Sequence, residues 1–113
     1  MGYILVVDDE ELNRDMLSRR LGKKGFDTLT AESGQKALEL IDYNDIDLVL
    51  LDIRMPGMDG NEVLEEIRKT KNGMALPVIM VTAETDSNTM VKSLGLGAND
   101  YVCLLYTSDA ADD

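Results

Sequence analysis

The chain has no histidine and no tryptophan, and only one cysteine, Cys103. Without histidine it cannot hold a His-ligated metal, build a Ser-His or Cys-His nucleophile pair, or carry its own phosphohistidine. One cysteine cannot form an intrachain disulfide or a Cys-rich zinc site, and it suits a reducing cytosol. Aromatic residues make up 4% of the chain. No apolar run approaches the ~20 residues of a membrane span. No basic segment precedes the first apolar run, so no signal peptide is expected and a cytoplasmic location is. Positive charge is also scarce: 11 Lys and Arg face 22 Asp and Glu, a formal net charge of −11. That balance argues against gripping nucleic acid through phosphates or binding an anionic membrane. It fits a divalent-cation site, although acidic surplus is more often a matter of solubility.

Hydrophobic residues make up 44% of the 113, enough for the core of one domain. Tyr3 to Val7 (YILVV) reads as a buried strand that ends in the acidic run Asp8 to Glu11. Asp9 is the expected N-cap of a first helix, with Leu12, Met16, Leu17 and Leu21 on one side and Arg14, Arg19 and Arg20 toward solvent. Gly22 and Gly25 mark its end. Phe26 to Ala31 alternates apolar and polar residues, as an edge strand does. Ser33 caps a second helix whose Ala37, Leu38 and Ile41 face inward. Asp47 opens the central strand; its apolar run, Leu48 to Leu51, is expected to be buried on both faces and ends on Asp52. Asp59 and Glu62 have the spacing of a capping box for a third helix with a Val63, Leu64 and Ile67 stripe. Val78 to Val81 is a fourth strand ending at Thr82 and Ala83. A fourth helix starts at Asp86 or Ser87 and carries Met90, Val91 and Leu94, and Asn99 to about Leu104 is a fifth strand.

Strands alternating with helices imply a parallel sheet with right-handed crossovers. If the first strand is central, with the second on one side and the third on the other, Asp8, Asp9 and Asp52 converge on one crevice, and Thr82 borders it. Two carboxylates ~5 Å apart repel by ~3 kcal/mol at an effective dielectric of ~20. A cluster of three finds relief by sharing protons, spreading into water or binding a cation, and oxygen ligands of this kind suit Mg²⁺. One carboxylate could then accept a phosphoryl group. Directly bound flavin or nucleotide phosphate is not expected, because the loop after the first strand is DDEE rather than rich in Gly, Ser or Thr. The plainer readings are a helix cap for Asp8–Asp9, a turn cap for Asp52 and an ordinary strand end for Thr82.

The segments VVDDE, LLDIRMPGMDG, VTA and GANDYV, in that order across residues 3 to 102, resemble the receiver domain of two-component response regulators. The resemblance implies an α/β flavodoxin-like, doubly wound five-stranded parallel sheet in the order 2-1-3-4-5. It implies a receiver domain over residues 3–104 that lacks the fifth helix. Residues 105–113 are expected to form a disordered acidic tail foreign to the family. Asp52 matches the phospho-accepting aspartate. Asp8 and Asp9 match the acidic pair that holds Mg²⁺, and Arg54 matches the residue whose backbone carbonyl completes the metal site. Thr82 matches the hydroxyl that closes on the phosphoryl group, Ala83 the small residue that leaves it room, and Tyr101 the aromatic switch. The implied partners are a sensor histidine kinase or phosphotransfer protein and an output domain outside this chain. The implied activity is that of a phosphoacceptor assisting its own phosphorylation and slow dephosphorylation, not of an enzyme on another substrate. An aspartate-nucleophile phosphatase would need a second acid at position 54, which is arginine.

The match stops after Val102. The family's lysine and proline positions fall on Leu104 and Leu105, and Tyr106 to Asp113 has no amphipathic stripe. Leucine cannot pair with a phosphoryl group. The alternative reading is therefore a receiver-like binding module that works without phosphorylation. The break also suggests that the native sequence ends near Val102. With one helix on its face, part of the sheet should show an apolar strip.

Overall fold

The computed structural model describes residues 2–82 and 87–103. Nine elements alternate: β1 (Tyr3–Val7), α1 (Glu11–Lys23), β2 (Thr28–Ala31), α2 (Gly34–Tyr43), β3 (Ile46–Leu51), α3 (Gly60–Thr70), β4 (Val78–Thr82), α4 (Ser87–Gly95) and β5 (Asp100–Cys103). The five strands form one sheet in the order β2-β1-β3-β4-β5, all parallel. This is the doubly wound architecture that the alternation of strands and helices predicts. Residues 83–86 and 104–113, which include Ala83, Leu104, Leu105 and the acidic tail, lie outside the described residues. Among the described residues there are four helices, and none is long and apolar enough to cross a membrane.

Pairing of Leu5 with Val49 and of Val49 with Val78 puts Leu5, Val7, Val49, Leu51, Val78 and Met80 on one face of the sheet. There they pack with Ala37 and Ile41 of α2 and Val63, Leu64 and Ile67 of α3 in one core. The stripes on α2 and α3 are therefore as expected, and Leu38 is half-buried against that core. The opposite face carries Ile4, Val6, Leu48, Leu50, Ile79 and Val81. α1 packs on that side, over β1 and β2, and buries none of its residues fully. Leu12 is 83% exposed. Leu48 and Leu50 are only half-buried, so β3 is not sealed on both faces as its apolar run predicts. One helix is narrower than the sheet it lies on.

Local signals set most boundaries. Ser33 accepts a hydrogen bond from the Lys36 backbone N–H at 3.2 Å. Asp59 and Glu62 form the reciprocal capping box: Asp59 Oδ1 accepts from Glu62 N at 2.9 Å, and Glu62 Oε1 from Asp59 N at 3.0 Å. Three expectations need correction. The N-cap of α1 is Glu10, not Asp9, and it makes no side-chain capping bond. β2 begins at Thr28, because its first partner on β1 is Ile4; Phe26 is left outside the strand and exposed. Arg14 is not directed wholly to solvent, since its Nη1 donates to the Asp8 carbonyl at 2.8 Å.

At the N-terminal end of the sheet, Arg68 ties two connections together, α3 to β4 and α4 to β5. It donates to the carbonyls of Gly97 (2.8 Å), Lys71 (3.2 Å) and Leu76 (2.8 Å) and to Asn99 Oδ1 (2.8 Å). Asn99 in turn accepts from Val78 N and donates to the Gly73 carbonyl.

Candidate metal and phosphoacceptor site

Val7 pairs with Leu51, so the residues just past them, Asp8 and Asp52, leave the sheet side by side. The Asp52 N–H donates to the Val7 carbonyl at 2.9 Å, which fixes that adjacency through the backbone. Carboxylate oxygens of Asp8, Asp9 and Asp52 lie within 4.8 Å of one another. Burial is graded across the three: Asp8 is buried, Asp52 half-buried and Asp9 exposed.

Asp8 is held by its surroundings. Its Oδ1 accepts from the Glu10 N–H at 2.9 Å, which turns the chain into α1 in place of a cap from Asp9. Burial nevertheless pushes its carboxyl above the usual range; the Glu10 N–H and the Asn13 side chain oppose this, and Asp9 and Glu10 add to it. Asp52 is pushed up to about 7, first by burial and then by the charge of Asp8, with the Arg54 N–H opposing the rise. The N–H of Arg54 stands 3.4 Å from Asp52 Oδ1, a weak contact. Two carboxyl groups that resist ionisation beside a third, exposed one make a site that a small hard cation relieves.

The loop beyond Asp52 is fixed by the start of α3. Gly60 N donates to the Ile53 carbonyl at 2.8 Å, and Ile53 and Met55 are buried. Gly57 has φ +77°, a conformation that favours glycine. Thr82 ends β4 and pairs with Cys103; its side chain lies outside the described part of the structure. Tyr101, opposite Met80 in the register, is half-buried against the core. The geometry thus brings Asp8, Asp9 and Asp52 together and sets Tyr101 two strands away on the α3 and α4 side.

The response regulator receiver domain family matches residues 4–103. The chain belongs to that family. A probable transcriptional regulator, ycf27, of Cyanidium caldarium is 43% identical over 100 residues, covering 88% of this chain and 39% of that protein. The receiver domain thus spans well under half of that relative's length. The response regulator protein TrrA of Thermotoga maritima, solved in complex with Mg²⁺ and beryllofluoride, is 38% identical with a TM-score of 0.83, covering 99% of this chain and 94% of that one. The beryllofluoride-activated N-terminal receiver domain of Klebsiella pneumoniae RstA is 29% identical with a TM-score of 0.86, covering 96% and 91%. The fold expected from the resemblance, a five-stranded sheet in the order 2-1-3-4-5, is therefore the fold of this receiver domain, and its setting is two-component signalling.

Sequence reasoning missed Arg14 and Gly60 as parts of the site's frame. Arg14 had a signal, a cation one turn into the helix that follows the acidic run. Gly60 had none beyond the loop that precedes it.

Proposed function

We propose that this receiver domain accepts a phosphoryl group on Asp52 in a Mg²⁺-dependent reaction with a phosphohistidine donor. The observation that carries the reading is the convergence of three carboxylates within 4.8 Å at the ends of β1 and β3. Asp8, Asp9 and Asp52, with the backbone carbonyl of Arg54, would hold the cation. Mg²⁺ bound there supplies charge neutralisation for both the carboxylates and the incoming phosphoryl group. The Mg²⁺ and beryllofluoride complex of TrrA supports the choice of ion.

An oxygen of ionised Asp52 attacks phosphorus, the nitrogen–phosphorus bond breaks, and the departing imidazole takes up a proton. Asp52 must give up its own proton first, since its carboxyl sits near pH 7. Asp8, pinned by the Glu10 N–H, keeps the cation side of the site in place. The Thr82 hydroxyl then donates to a phosphoryl oxygen, Ala83 leaves space for the group, and Tyr101 turns inward, altering the surface around α4 and β5. Water later attacks the acyl phosphate slowly and restores Asp52. The domain is a phosphoacceptor that assists these steps, not an enzyme acting on another substrate. The donor is a sensor histidine kinase or a phosphotransfer protein in the cytoplasm, and the response belongs to an output domain; two similar solved structures are response regulator/GGDEF domain proteins.

Mass spectrometry after incubation with acetyl phosphate tests this. One added phosphoryl group with Mg²⁺, none with chelator and none in Asp52→Asn is the expected pattern. Equal modification in the chelated sample or in Asp52→Asn rejects it.

A further inference from the structure

Among the described residues, three polar side chains are buried: Asp8, Asn61 and Ser93. Asp8 belongs to the site. The other two bond to each other, Ser93 Oγ donating to Asn61 Oδ1 at 2.9 Å. The bond joins α3 to α4, and both residues are shielded from water, at 7% and 0% exposure.

The anchoring of α4 is unusual. Its Met90, Val91 and Leu94 are 36%, 68% and 43% exposed. Ser93 is the fully buried side chain among those described in this helix. A helix held by an apolar stripe can slide by small steps, whereas a buried hydroxyl with a single acceptor fixes one register. Ser93 also ends the helix, because its carbonyl accepts the N–H groups of Leu96 (3.2 Å) and Ala98 (3.1 Å). Ala98 leads to Asn99, and from there into β5 and Tyr101.

The other partner leads to the acceptor. Asn61 follows Gly60, whose N–H holds the Ile53 carbonyl and whose α-carbon is pressed against the Asp52 carbonyl. A continuous path of covalent and hydrogen bonds therefore runs from Asp52 and Ile53 through Gly60 and Asn61 to Ser93, and on to Ala98 and β5. Nothing in the path depends on the exposed apolar residues of α4.

We propose that the Asn61–Ser93 hydrogen bond is a coupling pin that carries changes at the Asp52 end of β3 to α4 and the entry of β5. Asn61 and Ser93 are positioning residues; neither reaches the carboxylates' cation site. The proposal rests on the reading of Asp52 as phosphoacceptor, and the test separates the two.

Hydrogen exchange on the full chain is measured with and without Mg²⁺ and beryllofluoride, in the wild type, Ser93→Ala and the double variant Asn61→Leu/Ser93→Ala. The double variant replaces both bonded partners with apolar groups, which leaves no buried polar group stranded and keeps the helix packed. In the wild type the additive slows exchange around residues 8–9 and 52–60 and changes it about fivefold or more in α4. Both variants are expected to keep the response around Asp52 and to retain less than about half of the α4 response. Retention of half or more in the double variant overturns the pin, as does a wild type that responds at Asp52 but not in α4. A wild type with no response around Asp52 overturns the acceptor reading, and the coupling with it.

Discussion

Gly60 rests its α-carbon on the backbone carbonyl of Asp52, and a methyl group there would run into that oxygen and into the Ile53 α-carbon. The obstruction is backbone, which has little freedom to yield. Gly60→Ala should therefore lower stability by about 2 kcal/mol, a fall in Tm of roughly 8–12 °C, and weaken Mg²⁺ binding with it. Gly22 provides the contrast: it lies in α1, and a Cβ there meets nothing within 4 Å. Gly22→Ala should raise stability by about 0.5–1 kcal/mol. Thermal melts of the two variants check both signs, and a neutral Gly60→Ala would contradict the packing.

The raised carboxyl of Asp52 makes the metal-free domain sensitive to pH. Asp52 is pushed to about 7 in the folded chain, against about 3.9 when unfolded. Between these values the folded chain holds a proton that the unfolded chain has lost, so the contribution of this group to stability is full below about pH 4 and declines as pH rises to about 7. Asp8 shifts in the same direction. Asp52→Asn removes the ionisation at this position. At pH 8 and without Mg²⁺ it should be more stable than the wild type by on the order of 2 kcal/mol, and the gap should shrink toward pH 5. Denaturant melts of the pair at the two pH values measure it; a gap that widens toward pH 5 has the wrong sign.

Cation binding should show the reverse dependence. Mg²⁺ must displace the proton on Asp52, so its affinity rises with pH through about 7. Titration calorimetry should find binding about tenfold tighter at pH 8 than at pH 6. Asp9→Asn, which removes the exposed member of the trio, should weaken it by a similar factor without the gain in stability seen for Asp52→Asn. Affinity independent of pH would remove Asp52 from the ligand set.

Arg68 and Arg19 offer a comparison of two arginines on helices. Arg68 donates to four acceptors: the carbonyl of Lys71 at the C-cap of its own helix, the Leu76 and Gly97 carbonyls in the loops that enter β4 and β5, and the Asn99 side chain. Arg19 pairs at 3.1 Å with Asp15, and both side chains are more than half exposed. Arg68→Ala should cost about 2–3 kcal/mol because it strands partly buried acceptors. Arg19→Ala should change stability by less than about 0.5 kcal/mol. Equal effects in chemical denaturation would deny Arg68 its role.

The elements that could be read in advance are those with a local cause. The β1 limits, the Ser33 cap and the Asp59–Glu62 box each follow from a few neighbouring residues. The meeting of Asp8 with Asp52 needed topology as well, and the order of the sheet supplied it. What escaped depends on particular partners. Four acids in a row gave no reason to prefer Glu10 over Asp9 as the cap, because the choice follows from Asp8 accepting the Glu10 N–H. Phe26 continues the alternation of β2 but has no partner on β1. Ser93 and Asn61 are 32 positions apart, and nothing in either segment marks them as a pair.

The Arg68 hub gives the sheet two unlike ends. At one end, guanidinium hydrogen bonds clasp the loops that enter β4 and β5. At the other, carboxylates crowd within 4.8 Å and resist one another. The crowded tips belong to β1 and β3, and the clasped feet to β4 and β5. Charge neutralised at the tips therefore reaches β4 only across its pairing with β3, and it meets there a strand whose entry is already held.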